Sequence, residues 1–215
     1  MTMNKMRENM IADLTADLEP VKQFSSNTGL VWMAAATIAA SVVSIAFFSF
    51  WFGMFEGEAS AFFWVTNGLL LLLGSACALA LVISGSPRVG GRANAPEWTL
   101  AMAAIVPIAA IISMVSNGHV HEGLSDPVAF HCVSSSLASA ALVGIVSVLW
   151  LRRGAPVAIE RSAWLVGVTA GALGTVAFGV TCGLDSVSHL GLWHTAPVAI
   201  AAIVGRLVVP PLIRW

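Results

Sequence analysis

The stretch AFFWVTNGLLLLLGSACALALVIS, at residues 61 to 84, contains no charged side chain and decides the class of fold. A helix needs roughly 20 apolar residues to cross about 30 Å of hydrocarbon, and this run is long enough. An open sheet in a bilayer would leave backbone groups without hydrogen-bond partners. The stretch therefore predicts a transmembrane helix.

Five further apolar runs lie along the chain, which has 215 residues, 58% of them hydrophobic and 10% charged. Ordinary soluble domains are much less apolar. The predicted spans lie at about 30–52, 61–84, 98–116, 127–151, 161–182 and 191–209. We therefore predict an all-α, polytopic six-helix transmembrane bundle over residues 29–215, preceded by a separate segment, 1–28. That segment has no continuous apolar core, so no cleaved signal peptide is expected.

The charged residues predict the orientation of this bundle. All ten Lys and Arg side chains fall at one end of the predicted spans, whereas the opposite connections carry acidic residues and no Lys or Arg. By the positive-inside rule the basic end is cytoplasmic and contains both termini. The net charge of −1 and the absence of a basic cluster argue against direct nucleic-acid binding.

The segment 1–28 carries apolar side chains at helical spacing between acidic ones. They are Met6, Met10, Ile11, Leu14 and Leu18. This pattern predicts a short cytoplasmic amphipathic helix that stops near Pro20, because the residue before a proline disfavours helix. Its acidic face disfavours an anionic lipid surface and favours a protein partner for the apolar stripe. The alternative is a helix that folds back onto the protein's own cytoplasmic loops.

A second stretch, Cys-Gly-Leu-Asp-Ser-Val-Ser-His-Leu-Gly-Leu-Trp-His at residues 182–194, concentrates metal-ligating and redox groups. They are Cys182, Asp185, His189 and His194. Cys132, next to His131, lies on the order of 8 Å into the fourth span at 1.5 Å per residue. The two thiols are therefore expected at similar depths on consecutive antiparallel helices.

These thiols and imidazoles form a soft-to-borderline ligand set, which suits Cu(I) or Zn and not Mg or Ca. The same thiols, facing an oxidising compartment, can instead form a disulfide, either as a switch or as a permanent structural bond. His119 and His121 flank a single residue in an outer loop and can share a metal, although solvated loop residues are the alternative. No organic cofactor is indicated.

Four motifs together are characteristic of one family. They are Ile-Ala-Asp-Leu-Thr-Ala-Asp-Leu-Glu-Pro-Val at 11–21, Cys132 in the fourth span, Leu-Arg-Arg-Gly-Ala-Pro at 151–156, and the array of Cys182, Asp185, His189 and Trp193-His194. With these motifs the chain resembles, over nearly its whole length, the NrsF-type family. Its members are bacterial inner-membrane negative regulators of sigma F, which act as anti-sigma factors for extracytoplasmic-function sigma factors.

The resemblance implies that the cytoplasmic face holds a sigma factor inactive. With the amphipathic helix as the docking element, the expected contacts are Met10, Ile11, Leu14 and Leu18. It also implies that Cys132 and Cys182 are needed to respond to metal or oxidative stress, and His189 and His194 match the histidines after the second cysteine. We therefore expect a multi-pass inner-membrane regulator, not an enzyme. It would release its sigma factor when the Cys/His site binds a copper-like metal or is oxidised.

Three other functions remain as alternatives. A thiol oxidoreductase would be expected to carry a Cys-x-x-Cys pair, which the sequence lacks. A small membrane metal transporter would need ionisable groups deep in several spans, whereas the candidate ligands cluster at one end. A receptor for a periplasmic protein would have only short outer loops to offer. The glycines of the fifth span permit packing within one chain or between two.

Overall fold

The computed structural model describes residues 2–16, 25–86 and 94–214. Within these ranges the chain is all-helical, without a strand. The helices are α1 (Thr2–Ala16), α2 (Ser26–Phe48), α3 (Gly53–Glu56), α4 (Ala61–Ser84), α5 (Ala95–Asn117), α6 (Val120–Leu124), α7 (Ala129–Leu151), α8 (Ile159–Gly179) and α9 (Ala196–Ile213). A π-helical turn, His189–Trp193, precedes α9.

Six of these segments are long and apolar enough to cross a membrane. They are α2, α4, α5, α7, α8, and the π turn together with α9. The six predicted apolar helices are thus confirmed. The fifth ends at Gly179, not at residue 182, because the Val180 carbonyl accepts a hydrogen bond from the Trp51 backbone N–H, 3.1 Å away, and not from its own helix.

Helix α8 is the centre of the bundle, with 89% of its apolar span buried, and it packs against α2, α4, α7 and α9. Its glycines allow close approach of neighbouring backbones. A methyl group on Gly174 would collide with the backbone of Ala140 in α7, and one on Gly171 would lie 2.7 Å from the Cα of Val198 in α9. Gly167 also faces α9, so the glycines of α8 pack against two neighbouring helices of the same chain.

The segment that follows α8 is fastened to the start of α4. The Asp185 carboxylate accepts hydrogen bonds from the Ser60 backbone N–H and from the Ser60 hydroxyl, the latter at 2.7 Å. The same hydroxyl accepts from the Phe63 N–H and so caps α4. These contacts hold the candidate site segment against the rest of the bundle.

Helix α1 confirms a helical segment over residues 2–16. Every described side chain from Lys5 to Ala16 is exposed, and the apolar ones are between 53% and 71% exposed. These apolar side chains are Met6, Met10, Ile11 and Leu14. Leu18 and Pro20 lie outside the described residues. The described part of the chain therefore leaves the apolar stripe of α1 uncovered.

Candidate metal centre

Four metal-ligating side chains converge at one end of the bundle. They are Cys132 of α7, Cys182 after α8, His189 at the start of the π turn and His194 just after it. Their ligand atoms all lie within 4.8 Å of one another. All four side chains are buried, with 0% to 6% of their surface exposed. The structure thus brings four of the predicted ligands into one neighbourhood.

The spacing of these atoms fits a four-coordinate ion. The two sulfurs lie 3.8 Å apart, and the sulfur of Cys182 lies 3.6 Å from Nε2 of His189. A tetrahedral zinc ion with Zn–S near 2.3 Å and Zn–N near 2.05 Å sets about 3.8 Å between two sulfurs and about 3.6 Å between sulfur and nitrogen. Both thiols are free. These two distances of the cluster therefore match those around a tetrahedral ion.

The buried imidazole of His194 also favours a bound cation. The ring is fully buried, and neither of its nitrogens has a hydrogen-bond partner among the described residues. Leaving a buried polar group unpaired costs about 1–3 kcal/mol. A bound cation would give one of these nitrogens the partner that the protein does not supply.

The π turn explains how two histidines five residues apart share one face. In an α-helix, at 3.6 residues per turn, this spacing separates two side chains by about 140°. A π turn bonds residue i to residue i+5 and brings that pair onto one side, so the rings of His189 and His194 lie 5.3 Å apart. Pro197 accounts for the irregularity, because its ring would clash with the Trp193 carbonyl in a regular α-helix.

Asp126 holds the ring of His189 in place. Its Oδ2 lies 2.6 Å from Nδ1 of His189, and its Oδ1 accepts from the Val128 backbone N–H at 2.9 Å. Burial disfavours the charged carboxylate, but the hydrogen bonds from His189 and the backbone outweigh it, so the pKa of Asp126 falls below its ordinary value. The ionised carboxylate accepts from Nδ1–H and leaves Nε2 free for a metal, an arrangement typical of metal-binding histidines.

Sequence reasoning missed this role of Asp126. The sequence indicated only a helix start at 125–127, and the hydrogen bond to His189 spans 63 positions along the chain. A lone acidic residue at the outer end of a span adjacent to the site was the available signal. The π turn was also missed, although the five-residue histidine spacing followed by a proline indicates it in retrospect.

Four other predicted ligands lie outside the cluster. They are Asp185, His119, His121 and His131. Asp185 instead binds Ser60, as described above. His131 is exposed, with its ring edge-on to Phe48 at 4.9 Å, because adjacent helical positions cannot both face the site occupied by Cys132.

The two loop histidines, His119 and His121, are not arranged as a pair of ligands in the described part of the chain. Nδ1 of His119 lies 2.8 Å from a carboxylate oxygen of Glu122, and both side chains are more than half exposed. His121 is exposed on the short helix α6. The outer loop thus presents one imidazole–carboxylate pair to solvent, separate from the buried cluster.

A protein-family comparison covers nearly the whole chain. The family model for negative regulators of sigma F matches residues 14–215, which include all four ligands of the cluster. No curated protein and no solved structure matches the chain. The family match confirms the resemblance carried by the cysteine and histidine motifs.

Proposed function

We propose, because the chain belongs to the NrsF family of negative regulators of sigma F, that it is a metal-responsive anti-sigma factor of a bacterial inner membrane. It sequesters an extracytoplasmic-function sigma factor at its cytoplasmic end. It releases that factor when the cluster of two cysteines and two histidines binds a cation. The observation that carries the proposal is the convergence of four buried ligand atoms within 4.8 Å of one another, with the nitrogens of His194 among them unpaired in the described part of the chain.

The distribution of charge supports the proposed orientation. Arg152 follows the end of α7 opposite Cys132, and Arg161 lies in the first turns of α8. At the same end Arg206 of α9 pairs with Glu160 of α8. Basic residues at helix ends favour the cytoplasmic side. The metal cluster then faces the periplasm.

The donor set narrows the class of cation. Two thiolates and two imidazoles suit Zn(II) or Cu(I). A set of four converging ligands favours an ion that is four-coordinate. The Asp126 carboxylate, hydrogen-bonded to Nδ1 of His189, makes that imidazole a stronger donor. When bound, the ion would add coordination bonds between segments that packing and the hydrogen bonds of Asp126 and Asp185 already hold together.

The helices that carry the ligands connect the two ends of the bundle. Cys132 belongs to α7, Cys182 follows α8 and His194 leads into α9, and the glycines of α8 pack these helices backbone to backbone. A displacement at the outer ligands would therefore move rigid helices as far as their inner ends. Shifting a regulator from 1:99 to 99:1 requires about 5.5 kcal/mol. Zinc binding to structural sites supplies roughly 10–16 kcal/mol, so an affinity difference of about 5.5 kcal/mol between the two states is within reach of such a site.

The exposed stripe of α1 is the proposed sigma contact, with Met10, Ile11, Leu14 and the undescribed Leu18 as its members. An amphipathic helix that lays its apolar side in a groove is a common recognition mode. The family match begins at residue 14, so it includes only the carboxyl-terminal part of this stripe.

Oxidation is the second candidate input, because both free thiols lie within 3.8 Å of one another. A periplasmic oxidant would accept two electrons as the thiols release two protons and form a disulfide. This reaction needs only the cysteines, whereas metal binding also needs the histidines. The two inputs are therefore separable by mutation.

The test measures the metal content and free thiols of the purified protein in detergent, before and after incubation with Zn(II) or Cu(I) under reducing conditions. We expect about one equivalent of metal in the wild type, as for one four-ligand site, and none in a Cys132→Ser, Cys182→Ser variant. A sigma-regulon reporter in cells should respond to metal only with the wild type. Normal induction in both single serine variants would refute sensing by the cluster.

A further inference from the structure

The metal cluster is closed to solvent, which raises the question of how a cation reaches it. None of its four side chains exposes more than 6% of its surface. The aromatic ring of Phe178 packs with Cys132 and Cys182 on the bundle side. An ion from the periplasm therefore needs a route that ends at one of the ligands.

A cavity of about 400 Å³ at the outer end of the bundle lies beside the residues that adjoin His189. Its polar lining includes Asn117, His119, Glu122, Asp126, Ser186 and Ser188. Asp126 belongs both to the wall of this cavity and to the hydrogen bond with His189, and Ser188 directly precedes that histidine. The Asp126 carboxylate is thus the group between the cavity and the first buried imidazole.

Two other cavities are poor routes for a hydrated ion. The one between α7, α8 and α9, of about 570 Å³, is lined almost entirely by aliphatic side chains and glycine. The one between α2 and α7, of about 310 Å³, is similarly apolar. Both lie along helices that are apolar enough to cross a membrane, where a charge is costly.

The charge around the outer cavity favours a cation. Glu122 and Asp126 line it, the His119 imidazole lies 2.8 Å from Glu122, and the outer connections contain no Lys or Arg. Clefts lined by one sign of charge concentrate counter-ions and speed their arrival. The His119–Glu122 pair itself lies outside the cluster.

We propose that this cavity is the entry route for the sensed cation, with His119 and Glu122 as an outer capture pair and Asp126 as the group at its inner end. The inference rests on the proposed metal binding. It adds the path by which the cation reaches the cluster and the residues that control the rate of metal loading. A route changes the speed of loading and release together, whereas a ligand changes affinity.

The experiment follows Co(II) loading of the full-length protein in detergent by stopped flow, with the thiolate-to-cobalt charge-transfer absorption as the readout. Asn117→Trp introduces bulk at an exposed position on the cavity wall. Ser116→Trp is the matched control, because Ser116 is equally exposed and adjacent but is not among the cavity residues. We expect Asn117→Trp to slow loading and chelator-driven release by the same factor, with an unchanged final spectrum and affinity.

A second variant tests the capture pair of His119 and Glu122 by the rate of Co(II) loading. Glu122→Gln should slow loading by about tenfold at low ionic strength, the lower range of electrostatic rate effects. The difference should shrink as salt screens the charge. Loading of Asn117→Trp at the rate of Ser116→Trp, or a changed affinity with an unchanged rate, would overturn the route. Absence of the charge-transfer band in the wild type would overturn the metal site itself, and the route with it.

Discussion

Two regions of the molecule are built in opposite ways. At the outer end, four ligand side chains are buried, and a carboxylate and a π turn orient the histidine rings. At the amino terminus, α1 presents its apolar side chains to solvent. Organised burial indicates a site that is ready for a small ion, whereas an uncovered apolar stripe is incomplete without a larger partner. This contrast is the basis of the proposed metal input at the cluster and of the proposed protein contact at α1.

The largest effect should come from removing an organised ligand. We expect His194→Ala to lower zinc affinity by more than the roughly 100-fold that loss of an outer-shell partner costs. His131→Ala is the matched control, since this exposed imidazole lies beside Cys132 but outside the cluster. Competition with a fluorescent chelator gives both affinities. Equal zinc affinities in the two variants would show that His194 is not a ligand of the site.

The next prediction concerns the exposed apolar stripe of α1. Leu14→Asp should weaken capture of the sigma factor by about 10- to 100-fold, because burying a leucine contributes about 1.5–3 kcal/mol. Ala12→Asp introduces the same charge about 200° around the helix and should bind normally. Pull-down from detergent extracts, with membrane insertion checked by fractionation, measures both. Retained binding by the Leu14 variant would assign the contact to the inner loops.

The smallest effect concerns the carboxylate behind His189. Asp126→Ala should reduce metal affinity by about 10-fold, the lower end of the range for loss of an outer-shell partner. Asp126→Asn should lose less, because an amide oxygen can still accept from Nδ1–H of the ring. Nitrogen NMR of the labelled histidines should show the Nδ1–H tautomer of His189 in the metal-free wild type and in the Asn variant. Its persistence in the Ala variant would show that Asp126 does not set the tautomer.

The parts of the structure that the sequence predicted depend on local patterns. Length and hydropathy identify a membrane-length helix without knowledge of its neighbours, and all six were found. Cys182, His189 and His194 lie within one short stretch, and Cys132 was placed by counting from a helix start. A topology of antiparallel spans is sufficient to bring these groups to one end.

The parts that were missed depend on side-chain direction and on tertiary packing. Asp126 reaches His189 from a distant point in the chain, and spacing alone does not reveal that contact. His131 and Asp185 have suitable chemistry at suitable depth, but one faces Phe48 and the other binds Ser60. Depth was predictable from residue counting, whereas the direction of each side chain required the packed bundle.

The π turn has a consequence for how this site tolerates changes in chain length. Such a turn is a helix that accommodates one extra residue locally, so the segments before and after it keep their relative phase. A chain with one residue fewer between His189 and His194 would hold its two histidines four positions apart, which an ordinary α-helix already places on one face. Single-residue deletions at 190–193 should therefore be the length changes that this site survives. An equivalent deletion within α8 would rotate every glycine beyond it away from its neighbour.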